Sequence, residues 1–398
     1  MKSLIRVLLL LWSFYTHSQS AQLTFEQGQW QQVLAKAQQA GKPIFLYAYT
    51  PGCHFCKQME KTVFPDTMVS NYYHQTFINY KVNIEEGEGL TLAKQYDILS
   101  FPRYLYFDQQ GKLLHISGGA KPANAFVEDG KNAFNPHKAY FQLKDRYDQG
   151  DRSSELLYLF SLALSESGQP TDLYNKVLLQ YFETQSVESL TSQKNLNWLF
   201  QQYADFDSPV TQFYLKHQNE FVTLFGQLEV DQKTRGIVRV KAYDVARKKD
   251  TLLLKHIQQT LLSSLGSAAS QWNLLADVYY MGGIQNWQAY ADATLQYGQL
   301  YAHKDVKTLY ETVTYLKYFT TEKRILQKGI KIVEQALAVD KSYANLLLQA
   351  QLWQKLEEYT KARKTAEASV QQAKKAGVDS KEASDMIKEL EEKGSKGQ

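Results

Sequence analysis

Two patterns of apolar and polar positions divide this chain of 398 residues. As far as about Phe134, short apolar runs alternate with segments of helical spacing, and from about Pro136 onward helical spacing alone continues. Trp30, Val33, Leu34 and Ala37 recur every three or four positions, and Gly41 stands where a helix stops. Ile44 to Tyr49 is a continuous apolar and aromatic run of strand length, broken by Thr50-Pro51-Gly52. A helix then carries Cys53-His54-Phe55-Cys56 in its first turn and continues through Lys61, with Val63 and Phe64 closing its apolar side. Met68, Val69, Tyr72 and Tyr73 predict a second short helix, Phe77 to Ile84 a strand, and Leu90 to Tyr96 a further helix. Arg103 to Phe107 and Lys112 to Ile116 flank a turn ending at Gly111, which predicts a hairpin, and Pro122 to Phe134 predicts a closing helix.

Beyond Pro136 the amphipathic helices follow one another without strand signals. Leu156, Leu157, Phe160, Ala163 and Leu164 mark one, Val177 to Phe182 another, and Leu196 to Tyr203 a third. Breaks are expected at Gly168-Gln169-Pro170, Asp207-Ser208-Pro209 and Gly266-Ser267. Helix-turn-helix units of this length bury their faces only by stacking on neighbours, which implies an α-solenoid. Between about residues 270 and 376 the pattern resembles tetratricopeptide repeats. Leu346, Ala350, Trp353, Ala362, Ala366 and Ser369 stand where such a repeat places packing residues, and Val313, Gly329, Val333 and Ala336 keep the order 33 residues earlier. That resemblance implies a concave surface for an extended peptide or another protein; a helical bundle that only packs on the first domain is the alternative.

Composition changes the picture mainly at the N-terminus. Lys2 and Arg6 precede the apolar run Val7 to Trp12, and Ser18-Gln19-Ser20 supplies small residues for cleavage, so residues 1–20 are expected to be an export signal. The run is far shorter than the ~20 residues of a membrane span. An uncleaved anchor is the alternative, and a lipid anchor is not expected because no cysteine follows. Export places the protein in the periplasm or outside the cell, where disulfides persist. The net charge of +4 is spread along the chain, which argues against nucleic acid as a partner. Twenty-seven tyrosines and nineteen phenylalanines suit packed helices better than a ligand platform.

Cys53 and Cys56 are the only two cysteines in the sequence. A tetrahedral zinc site needs four ligands, and His74 and His115 show no partner spacing, so no metal and no other cofactor is expected. A strand, a turn, a C-x-x-C pair and a helix give the pair a redox meaning instead. The segment 21–135 resembles the thioredoxin fold, and within it exported proteins whose pattern is Gly52-Cys53-His54-Phe55-Cys56-Lys57-Gln58-Met59-Glu60. Tyr96-Asp97-Ile98-Leu99-Ser100-Phe101-Pro102, where such proteins carry a cis-proline, and the hairpin with Gly111 are the further landmarks.

The resemblance implies an exposed, nucleophilic Cys53 and a resolving Cys56, with Phe101 and Pro102 binding the substrate as an added edge strand. His54 and Lys81 are the expected redox-tuning residues. Gly52 replaces the tryptophan that commonly precedes the first cysteine, and Tyr47 replaces a buried acid, which leaves proton transfer at Cys56 to water or another group. Oxidising and reducing directions both remain open. The expectation is therefore an α/β thioredoxin fold followed by an all-α helical-repeat domain over residues 136–398. It would act as a thiol–disulfide oxidoreductase on protein substrates, with a redox partner protein and no membrane span once the signal is removed. A scaffold using the fold only for docking is the rival.

Overall fold

The computed structural model describes residues 22–168 and 172–395. The expected export signal over residues 1–20 lies outside the described residues, as do Gln169 and Pro170 of one expected break. The chain divides into two compact units between Ser192 and Gln193.

The first unit holds a four-stranded sheet, β1 (Ile44–Tyr49), β2 (Ile78–Asn83), β3 (Arg103–Phe107) and β4 (Leu113–Gly118), in the order β2-β1-β3-β4. β1 runs parallel to β2 and antiparallel to β3, and β3 runs antiparallel to β4. α1 (Trp30–Ala40) precedes β1 and ends on left-handed Gly41 at φ 61°, a conformation that costs glycine little. α2 (His54–Gln58) follows β1 and widens into a π-helical turn over Met59–Val63, closed by the Phe64 amide on the Met59 carbonyl at 2.9 Å. The sequence predicts an unbroken α-helix here; the wider turn brings Met59, Val63 and Phe64 to the core together. α3 (Thr67–Thr76), α4 (Gly87–Gln95) and α5 (Ala123–Asn132) complete the alternation.

Alternate side chains of the central strands face opposite layers. Phe45, Tyr47, Tyr104 and Tyr106 pack in one cluster with Met59, Val63, Phe64, Val69, Tyr73 and Phe126. On the other face Trp30 and Tyr96 pack against Phe107, with ring centroids 4.9 and 5.2 Å away. A strand covered on both sides has no polar face, which is why Ile44 to Tyr49 lacks alternation.

The unit continues past residue 135 with α6 (Tyr140–Asp148), α7 (Ser154–Glu166), α8 (Asp172–Glu183) and α9 (Val187–Leu190). Asp129 of α5, 2% exposed, helps hold this extension. It accepts from Tyr106 Oη at 3.0 Å, from the Ser117 hydroxyl, and from His115 Nε2 at 3.1 Å, and it pairs with Lys121 at 3.3 Å. His115 Nδ1 accepts the Tyr140 amide at 3.0 Å, so its proton sits on Nε2 facing Asp129. Lys121 also pairs with Glu166 of α7 at 2.8 Å. Burial alone would raise the Asp129 pKa, but the Lys121 charge and the bonds from His115 and Ser117 outweigh it and hold the carboxyl well below the ordinary range.

The second unit contains twelve α-helices among the described residues, from Gln193–Gln201 to Lys381–Ser395. Three-residue links join Ala269–Gly283 to Trp287–Tyr301, Val306–Phe319 to Lys323–Val339, and Tyr343–Lys355 to Tyr359–Ala376. Small residues lie where helices approach: Ala350, Ala362 and Ala366 pack with Leu347, Ala383, Met386 and Leu390. No described helix is long and apolar enough to cross a membrane.

Replacing the buried carboxylate by a neutral amide tests the node. Asp129→Asn is expected to destabilise the first unit by ~3 kcal/mol near neutral pH, because Lys121 is left partly uncompensated. A carboxyl with a depressed folded-state pKa contributes stability that is complete above the unfolded value of about 3.9 and fades as pH falls through the folded value. In urea melts the gap between wild type and variant is therefore expected to close on acidification below about pH 4.

Candidate functional site

β1 delivers the chain to the site. Its last residues lead through Thr50 to Cys53, whose amide donates to the Thr50 carbonyl at 3.1 Å. Cys53 is the N-cap of α2: its backbone is extended, and its Sγ accepts the Cys56 amide at 2.9 Å. The two cysteines form a disulfide. The same sulfur thus occupies the bond to Cys56 and the position where a helix start favours negative charge.

The sequence reading expects an exposed sulfur at position 53. Cys53 instead keeps 7% of its surface and Cys56 1%. Capping turns the Cys53 sulfur inward toward the helix amides, and both cysteines join the cluster of Tyr47, Phe64 and Tyr104. What solvent meets is the surrounding apolar side chains: Phe55, Leu99 and Phe101 are exposed. His54, the first residue of α2, is also exposed and sets its ring at 73° to Phe55 with centroids 5.7 Å apart.

The Phe101–Pro102 peptide bond is cis. Antiparallel pairing of Ala48 with Arg103 brings Pro102 to the end of the sheet where β1 exits toward Cys53. Pro102 is buried, and its carbonyl accepts the Gly119 amide at 3.0 Å.

Lys81 lies across from Tyr47 in the β1–β2 register. Its Nζ pairs with Glu60 Oε1 at 2.8 Å and lies 4.4 Å from the Tyr49 ring centroid. Glu60 follows Cys56 by four residues in the helical segment, so sequence reasoning had a signal for it in the quoted pattern but assigned it no role. Tyr47 fills the place of the expected acid. Its hydroxyl is buried, and burial, followed by the charge of the neighbouring Glu60, pushes its pKa far up, so the phenol stays neutral. Among the described residues no cluster of three or more His, Cys, Asp or Glu side chains is placed to hold a metal.

Residues 30–132 match the family model of the thioredoxin-like domain, the class of fold to which this sheet and cysteine pair conform. Curated relatives include the thiol:disulfide interchange protein DsbD of Yersinia pestis (strain Pestoides F), 39% identical over 84 residues, 21% of this chain and 14% of that protein. Another is DsbD of Pseudoalteromonas atlantica, 35% identical over 108 residues, 26% of this chain and 18% of that protein. The chain thus spans 14% to 18% of the length of these relatives. A solved thioredoxin from Thermus thermophilus is 22% identical, covering 29% of this chain and 89% of that one at a TM-score of 0.27. The chain therefore carries a thioredoxin-like domain with a C-x-x-C redox pair, homologous to DsbD and followed by a large helical region. That pair is consistent with thiol–disulfide oxidoreductase activity.

The unequal placement of the sulfurs has a measurable consequence. After reduction, iodoacetamide is expected to label Cys53 at least about tenfold faster than Cys56, since its sulfur sits at the helix N-cap and keeps 7% of its surface against 1%. Peptide mapping after a short pulse checks this; equal labelling would contradict the assigned geometry.

Proposed function

We propose that this protein is an exported thiol–disulfide oxidoreductase, periplasmic or secreted, that exchanges disulfides in protein substrates. The observation that carries the reading is the Cys53–Cys56 disulfide, with its first sulfur held at a helix N-cap by the Cys56 amide. In the reducing direction the Cys53 thiolate attacks a substrate disulfide, forming a mixed disulfide and releasing one substrate thiolate. The Cys56 thiolate then attacks the Cys53 sulfur, the second substrate thiolate leaves, and two electrons have passed to the substrate. The oxidising direction reverses these steps, and a redox partner protein resets the pair.

In this reading Phe101 and Pro102 receive the substrate backbone as an added strand. His54 and Lys81 tune the pair. Lys81 acts with Glu60, its ion-pair partner, which follows Cys56 by four residues. The helical residues 136–398, tetratricopeptide-like over about 270–376, hold the partner protein; the paired helices and the small residues between them support that role. The rival is a non-catalytic docking scaffold, which the 7% exposure of Cys53 favours.

Insulin reduction by dithiothreitol separates the two. Wild type is expected to accelerate precipitation and Cys53→Ser to leave it at the uncatalysed rate; identical curves would remove the reductase form. Cys56→Ser, expressed with its export signal, is expected to accumulate mixed disulfides that dithiothreitol releases on a non-reducing gel. A clean gel would favour the scaffold.

A further inference from the structure

β3 opens with a buried arginine. Arg103 follows Pro102 directly and is 2% exposed. A guanidinium taken out of water needs acceptors. Its Nη2 donates to Ser100 Oγ at 2.9 Å, within the loop 97–102 that carries Phe101. Burial lowers its pKa, and the nearby Asp97 and Tyr140 act against that effect. Nη1 has no hydrogen-bond partner among the described residues.

That second nitrogen lies in the space beside Gly118 and Gly168. A Cβ on Gly168 would lie 3.3 Å from Nη1, 3.5 Å from Nη2 and 3.0 Å from Ser100 Oγ. A Cβ on Gly118 would lie 2.9 Å from the Pro102 carbonyl, 3.6 Å from Nη1 and 3.8 Å from the Glu166 carbonyl. Two glycines, one ending β4 and one just past α7, thus leave the space in which the guanidinium sits. The C-terminal turn of a helix carries partial negative charge, which suits a cation there. An apolar side chain would fill the same space at a smaller desolvation cost. What arginine adds is a rigid fork, with Nη2 on Ser100 and Nη1 in the space left by the two glycines.

We infer that Arg103 is a positioning residue for the substrate: seated in the space beside the end of α7, it clamps the loop 97–102 through Ser100 and so fixes the Phe101 backbone. The inference rests on the oxidoreductase reading and deepens it, because α7 lies outside the matched residues 30–132 yet becomes a wall of the substrate-binding edge. Affinity for a peptide disulfide then depends on the Ser100–Arg103 bond. Reaction of the cysteine pair with a small dithiol, which pairs with no strand, does not.

The test uses the full chain as wild type, Ser100→Ala, Ser100→Thr and Arg103→Gln. Ser100 is exposed, so its variants fold even where Arg103→Gln does not. One assay follows kcat and KM for a fluorescence-quenched peptide disulfide with dithiothreitol as reductant. A second follows reduction of the Cys53–Cys56 bond by dithiothreitol alone, and a third amide hydrogen exchange over residues 97–104. Ser100→Ala is expected to raise KM roughly 5- to 10-fold, the loss of one charge-assisted hydrogen bond, and Arg103→Gln at least as much. Ser100→Thr, which keeps the hydroxyl, is expected to stay within about twofold of wild type, as is the dithiothreitol rate in all three variants. Exchange over the loop should quicken in Ser100→Ala. Unchanged KM and unchanged exchange would overturn the clamp, and so would a parallel fall in the peptide and dithiothreitol rates, the mark of general damage. Should wild type turn over no peptide, the oxidoreductase reading fails, and hydrogen exchange alone then decides whether the clamp exists.

Discussion

Asp129 carries a full charge beneath the surface of the first unit, and its partners come from other elements than its own helix. Tyr106 reaches it from β3, His115 and Ser117 from β4, and Lys121 from the loop beyond. Each bond offsets part of a desolvation cost that none of them meets alone. The arrangement therefore tolerates few displacements: moving α5 away from the sheet strands a charge in a low-dielectric interior. It also reaches outward. The second nitrogen of His115 takes the Tyr140 amide, and the second partner of Lys121 is Glu166, so α6 and α7 are fixed by residues already committed to the carboxylate. The Lys121 amide meanwhile donates to Met59 Sδ at 3.3 Å, which ties the same loop to the π turn behind the cysteines.

The charged pair beside the cysteines is built differently. Glu60 and Lys81 each leave 32% of their side chains to solvent, and the Lys81 ammonium lies between one carboxylate and an aromatic ring. This pair therefore keeps water within reach, which the buried Asp129 does not. Tyr47 marks the division. Its neutral, buried phenol packs in the core cluster that also holds both cysteines.

The strands of the first unit were legible because each is a short apolar run bounded by breakers, as at Ile44–Tyr49 and the Gly111 hairpin. The helices were legible from spacing and caps, with Gly41 the clearest. The π turn at Met59 was not, since its apolar positions also fit an α-helix. Nor was the link from Arg103 to Ser100 and α7, or the partnership of Glu60 with Lys81, which stand 21 residues apart. Such pairings depend on register and on which helix returns to which edge, quantities that local periodicity does not contain. The exposure of Cys53 was misjudged for a related reason: sequence places the residue at a helix start but not the direction of its sulfur.

That direction bears on how a disulfide exchanger of this shape would select partners. Attack on a disulfide needs one sulfur to be approached in line with the bond. Phe55 within the C-x-x-C turn and Leu99 and Phe101 in the loop before β3 are all exposed. A polar, well-hydrated partner gains little by displacing water from these side chains, whereas an apolar segment gains ~25 cal/mol for each Å² removed from water. A sulfur at 7% exposure is met by solvent far less than these side chains are, so the apolar surface, and not the pair itself, is what the first unit presents at Phe55, Leu99 and Phe101.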